Sequence, residues 1–459
     1  MFDPVEKLLE FVRFPSVSTD PQQEGGMRGA REFLAGLLKQ MGFDAEIVPA
    51  RLHPVIVAER KGSPSWPGII IYGHYDVQPA DPVEAWTTRP FEPRVQGERL
   101  FGRGASDNKG PLLTLIAAVG RLIEREPGLP LRITFLIEGE EEVGSPSFPS
   151  FLDRQRHRLR GADFVLVSDT ELESRNQAVI TCGFRGLAAL EVRVAGAERD
   201  LHSGIHGGAL MNPIRALAGI CASLHRADGR IDVPGFYRDI ADAQPWEHAE
   251  LLKLNLSDEA YRAQAGVETL ATPSGVTAAE ATRFLPTLEF NGIGGGYQGP
   301  GTKTVIPSRA FAKLSCRLVP NQDPSYIQDI VAAEILRRAP KGARVEVDKR
   351  QACSPYLVVP PGRPNTPRDQ SPVLATAFRA ADRAATDVWG RPPLYLRGGG
   401  SVPIIPEIKR ALGLDSLMLG LCLPEDNLHA PDESFDLSVM RDAIEIFGRI
   451  LREVAHASP

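Results

Sequence analysis

Apolar residues recur at helical spacing over positions 5–14 and 27–41, and short apolar runs at 45–48, 54–59 and 68–72 predict strands. A helix at 112–123 and strands at 131–137 and 162–167 continue the alternation. Strands interleaved with helices predict an α/β domain. The near-continuous apolar character of the strands implies a mixed, largely parallel sheet with helices on both faces. The pattern changes at 187–356, where alternating strands at 188–194 and 312–318 accompany amphipathic helices at 213–224 and 326–338. This predicts a smaller, separate α/β domain inserted over 187–356. The segment 360–372 leads back, and a helix at 373–385, a strand at 417–419 and a long helix at 439–454 complete the first domain, 1–186 with 357–459. The glycine-rich stretch 291–301 predicts a mobile loop, because no lysine-serine pair follows at the spacing a phosphate loop requires.

Length and composition agree with two domains, since 459 residues with 42% hydrophobic content exceed what one core normally holds. The formal charge of -6 is modest, with acids and bases interspersed, so neither a nucleic-acid footprint nor a membrane-surface helix is expected. No run approaches the roughly 18 apolar residues of a membrane span, and the first residues do not read as a leader, so a cytoplasmic location is expected. Cys182, Cys221, Cys316, Cys353 and Cys422 lie singly, which predicts packed, reduced thiols.

The chemistry gathers where predicted strands end. The strand at 131–137 runs into EGEEEVGS at 138–145, four carboxylates in a glycine turn. Another ends in GHYDVQP at 73–79, where a period of two puts His74 and Asp76 on one side, as a metal-ligating imidazole and its orienting partner require. GRGASDNKG at 102–110 is too rich in glycine for regular structure and presents Asp107 where a bound phosphate would sit. A carboxylate held between two cations explains that loop better. SDTE at 168–171 adds Asp169 at a third strand end. Open α/β sheets bind ligands at such ends, so His74, Glu141 or Glu142, and Asp169 point to one cleft.

Together with His429 in NLHAPDE at 427–433, these motifs resemble the di-zinc metallopeptidase and amidohydrolase family of aminoacylase, acetylornithine deacetylase, glutamate carboxypeptidase and the carnosinase-like cytosolic dipeptidases. The resemblance spans nearly the whole chain. DLHSGIHGG at 200–208, KTVIP at 303–307, SCRLVPN at 315–321 and RGGGSVP at 397–403 narrow it to the dipeptidase branch. It implies two divalent ions per subunit, zinc foremost and manganese or cobalt as alternatives. One would be held by His74 and Asp169, the other by Glu142 and His429, with Asp107 as the bridge. It also makes Glu141 the general base for a metal-bridging hydroxide, and Asp76 the residue that orients His74.

In the inserted domain the resemblance implies a two-layer α/β lid that forms a homodimer, with His202 reaching the partner's site to polarise the scissile carbonyl. Arg317 would clamp the substrate carboxylate bidentately. Thr304, Gly399, Gly400 and Ser401 would add a hydroxyl and backbone N–H groups. One departure is Asp432, where the family commonly has asparagine, adding charge near the second metal. The resulting expectation is a dipeptidase. An N-acyl amino acid amidohydrolase with the same site is the first alternative, and a metal-dependent binding protein without catalysis is the second.

Overall fold

The computed structural model describes residues 2–254 and 256–457, and the chain forms two compact units. The first comprises Met1–Cys182, Val358–Leu396 and Pro403–Pro459; the second comprises Gly183–Leu357 and Arg397–Val402.

The first unit is built on a six-stranded sheet in the order Asp44–Val48, Val55–Arg60, Arg132–Glu138, Gly68–His74, Phe164–Val167 and Ser416–Met418. The first three neighbours pair antiparallel and the remainder parallel, so the sheet is mixed as expected. Gly68–His74 is buried at every position and lies between two parallel partners, with His74 opposite Glu138 and Tyr72 opposite Val167. Three chain segments therefore leave the sheet at the same edge. The helix Gly110–Arg125 buries an apolar stripe and packs against Leu437–Ala455, which in turn packs on Pro372–Trp389.

The loop expected at 102–111 is partly helical, because Ala105–Lys109 forms a wide helical turn leading into Gly110–Arg125. Its glycines bend the chain into that turn without preventing it: Gly104 has φ +81°, and a Cβ there would stand 2.3 Å from Val77.

The second unit holds a four-stranded antiparallel sheet in the order Thr287–Gly295, Arg309–Leu318, Gly186–Ala195 and Arg344–Cys353. Burial alternates along Gly186–Ala195, and its inward residues Leu190 and Val192 join a core with Leu217 and Ile220 from one helix and Val331 from another. The glycine-rich stretch is not all loop, since Thr287–Gly295 is a strand with a register shift between Phe290 and Gly292. There the glycines accommodate a bulge, and pairing overrides their low strand propensity. Arg344–Cys353 had no predicted counterpart, as it is a largely exposed strand with few apolar residues. All five cysteines are buried thiols, and no helix among the described residues is long and apolar enough to cross a membrane.

Candidate active site

At the end of Arg132–Glu138 the chain turns through Gly139, where a Cβ would stand 2.3 Å from the Tyr75 ring. Two of the four acids serve the fold. Glu138 is buried and accepts from Tyr72 Oη at 2.7 Å and Ser145 Oγ at 2.9 Å, and burial pushes its carboxyl up to about 8. Glu140 accepts from the His53 and Ser147 backbone N–H groups at 2.8 and 2.9 Å.

The other two are presented by Asp76, whose carboxylate oxygens accept from the backbone N–H groups of Glu141 and Glu142 at 3.2 and 3.1 Å. His74 Nδ1 donates to the Asp76 backbone carbonyl at 3.0 Å and lies 3.4 Å from its carboxylate. This fixes the tautomer, leaving the Nε2 lone pair for a ligand. A single aspartate thus sets both the imidazole and the acidic turn, a double use that period-two spacing does not reveal.

His74 Nε2 lies 3.1 Å from Asp107 Oδ1 and 3.3 Å from Asp169 Oδ2. His429 Nε2 lies 2.8 Å from Asp107 Oδ2 and 3.4 Å from Glu142 Oε2. Asp107 therefore offers one oxygen to each imidazole, while donor atoms of His74, Asp107 and Glu142 fall within 4.8 Å of one another. Gln78 Nε2 donates to Glu142 Oε2 at 2.7 Å, whereas the buried Glu142 Oε1 has no hydrogen-bond partner among the described residues.

The charges are crowded. Burial, then Asp107, push the Glu142 carboxyl up to about 10, with His74 opposing. Glu141 is raised by burial, against the pull of His74, and further by Asp169 and Asp107. Burial disfavours charging His74, but the Asp169 carboxylate and the hydrogen bonds to Asp107 and Asp169 outweigh it and raise the imidazole. Asp107 is likewise penalised by burial, yet His429 and His74 hold it well below the usual carboxylate range. In this arrangement protonated imidazoles and carboxyls balance the charge. Divalent cations would do so with every group in its ligating form, and the orphaned Glu142 oxygen points to the same need. The nitrogen and carboxylate donors fit zinc, manganese or cobalt.

Glu433, fully buried, carries the loop that presents Asp107. It accepts from the Gly104, Ser106 and Asp107 N–H groups at 2.9, 3.0 and 3.0 Å and from Arg103 Nη1 at 2.7 Å. Its place four residues after His429 and the arginine in GRGASDNKG are the signals the sequence carries for this residue, to which the motifs alone give no role. Asp432 has a local use, accepting from the Thr87 N–H at 2.8 Å. Asn427, His429 and Asp432 have φ of 56, 58 and 59°, a left-handed conformation that is costly for non-glycine residues and recurs at functional sites.

The second unit gathers the remaining candidates in two places. Exposed His202 accepts from the Gly204 N–H at 3.0 Å, with its Nε2 3.5 Å from Thr304 Oγ1. Separately, Arg317 Nη1 donates to Ser401 Oγ at 2.8 Å, and Ser401 Oγ donates to the Arg185 carbonyl at 2.5 Å. The Gly399 and Gly400 carbonyls both accept from Arg185, at 2.8 and 3.0 Å. Burial and the nearby Arg317 charge pull Arg185 down to about 10. Arg397, at the start of this segment, forms a buried two-pronged ion pair with Glu247 at 2.6 and 2.8 Å.

Comparison with known proteins gives this geometry a context. The chain is 32% identical to a Beta-Ala-His dipeptidase of Rattus norvegicus over 89% of its own length and 81% of the relative's. It is 28% identical to the Cys-Gly metallodipeptidase dug1 of Schizosaccharomyces pombe, covering 99% and 96% of the two chains. The crystal structure of the M20 family metallo-carboxypeptidase Sso-CP2 from Sulfolobus solfataricus superposes with a TM-score of 0.87 at 28% identity, covering 99% of this chain and 100% of that one. The family model described as Peptidase family M20/M25/M40 matches residues 70–453, which include all five candidate metal ligands and Glu141. The chain belongs to peptidase family M20/M25/M40.

Proposed function

We propose that this protein is a metal-dependent dipeptidase that hydrolyses the amide bond of a small dipeptide carrying a free C-terminal carboxylate. The observation that carries the reading is Asp107, whose two oxygens face His74 and His429 separately. His74 and Asp169 would hold one divalent ion, Glu142 and His429 the other, and Asp107 both, with zinc foremost and manganese or cobalt as alternatives. Such ions, when bound, supply Lewis-acid polarisation of the scissile carbonyl and make water acidic enough to attack near neutral pH.

The chain's own groups move the proton and hold the substrate. Glu141, with its raised proton affinity, takes a proton from the attacking water and delivers it to the leaving amine. Asp76 holds the backbones of Glu141 and Glu142 so that one carboxylate can ligate while its neighbour works as a base. Arg317, with Ser401 at its tip, receives the C-terminal carboxylate, and Gly399 and Gly400 shape that segment around Arg185. His202 polarises the scissile carbonyl, acting in the partner's site of a homodimer formed through the second unit, and Thr304 offers its hydroxyl to the substrate's anionic terminus. The protein is proposed to be cytoplasmic, without nucleic-acid or membrane partners.

The name of the Sulfolobus relative supports a second reading, removal of a C-terminal residue from longer peptides, for which the same carboxylate clamp would serve. A panel of dipeptides, including β-alanyl ones, assayed beside tripeptides and N-acetyl amino acids with zinc or manganese decides among these. Dipeptides should turn over fastest. Faster tripeptide cleavage would favour the carboxypeptidase, and preferential deacylation would replace both with an amidohydrolase.

A further inference from the structure

We propose that a cavity within the second unit is the pocket for the side chain of the substrate's C-terminal residue, and that it selects large apolar side chains. The inference rests on the dipeptidase reading and on Arg317 as the carboxylate anchor. The cavity measures about 930 Å³, near the upper end of ordinary ligand sites. That is far more room than an alanine side chain needs.

Its position links it to the clamp. Thr287, on its wall, is the register partner of Arg317 on the neighbouring strand, so the two side chains stand side by side on one face of the sheet. Thr282, also on the wall, brings its carbonyl to 3.1 Å from where a Cβ on Gly399 would stand. The wall thus adjoins both parts of the clamp, Arg317 and the 399–401 segment. In a peptide the C-terminal side chain and the carboxylate leave the same carbon atom. A carboxylate anchored at Arg317 must therefore place that side chain within one residue's reach of this wall.

The lining sets the preference. Leu270, Ala271, Val276, Ala281 and Leu285, with the ring of Tyr261, make apolar surface predominate. Glu289, which also lines the cavity, repels an acidic side chain. Burying the extra carbons of leucine or phenylalanine here removes apolar area from water, whereas alanine leaves the space unfilled.

The test is kcat/KM of the metal-loaded, full-length protein on Ala-Ala, Ala-Leu and Ala-Phe. Ala-Phe should exceed Ala-Ala by about tenfold or more, mainly through KM. Ala281→Phe, which fills the cavity, should bring the Ala-Phe to Ala-Ala ratio close to one, and Leu285→Ala should reduce it several-fold. A wild-type ratio near one, or a ratio that neither variant changes, overturns the proposal. Calorimetric binding of phenylalanine and alanine separates the two readings. If no dipeptide is cleaved but phenylalanine binds more tightly, the dipeptidase reading fails and the pocket stands. Equal binding of the two amino acids removes the pocket.

Discussion

Glu141 and Glu142 are adjacent, yet only Glu142 is proposed as a ligand. Glu142 brings Oε2 to 3.4 Å from His429 Nε2 and, among the described residues, leaves its buried Oε1 without a hydrogen-bond partner, while Asp76 holds the backbones of both glutamates. Glu141→Gln should therefore keep its full metal content while turnover falls on the order of a hundredfold or more; unchanged turnover would contradict its role as base. Glu433 makes the complementary case, because it is fully buried and bonds the backbone that presents Asp107. Glu433→Gln should weaken metal binding by about 10- to 100-fold in a calorimetric titration, as loss of a group that orients a ligand does, and an unchanged affinity would refute the assignment. Glu138 reads out in pH. In the metal-free protein its folded carboxyl stays protonated up to about 8, whereas an ordinary glutamate releases its proton near 4.5. Its contribution to stability is present below the lower value and lost as pH rises through the higher one. The melting temperature of Glu138→Gln should thus gain on the parent between pH 5 and 8. A difference that does not vary with pH would show that Glu138 titrates normally.

At the scale of elements, the site is an outcome of three parallel strands ending at one sheet edge. That much was legible in the chain, because buried strands have continuous apolar runs and 74, 138 and 167 each stand where such a run stops. The ties that hold the loops beyond those ends were not legible. Glu433 reaches back more than 300 positions to the Asp107 turn, and one carboxylate in a polar loop looks like any other until the backbone N–H groups around it are seen. Arg185 is similar: the RGGGSVP segment was noticed, but the fold turns its carbonyls toward an arginine far away in sequence. Thr287–Gly295 was hidden by glycines that serve a bulge, and Arg344–Cys353 by its exposure. The Arg397–Glu247 pair is another such tie, buried on both sides. Arg397→Met strands a buried carboxylate and should destabilise the protein by about 3–5 kcal/mol in denaturant unfolding. The double variant Arg397→Met with Glu247→Leu should recover most of that loss. A single variant as stable as the parent would mean the pair holds nothing in place.

At the scale of the whole molecule, the chain divides its tasks between two units. The first brings His74, Asp107, Glu142, Asp169 and His429 to one sheet edge, and the second carries Arg317, Ser401 and the cavity beside them. Family membership rests on the match across residues 70–453, and the proposed metal ligands rest on the distances among His74, Asp107, Glu142, Asp169 and His429. Two ions sharing Asp107 are proposed to be needed for hydrolysis of a dipeptide. The most direct measurement strips the protein with a chelator and titrates zinc or manganese back while following cleavage of a dipeptide and bound metal per chain. The predicted result is no activity in the stripped protein and a plateau at two ions per chain. Full activity without metal, or a plateau at one ion, would contradict it.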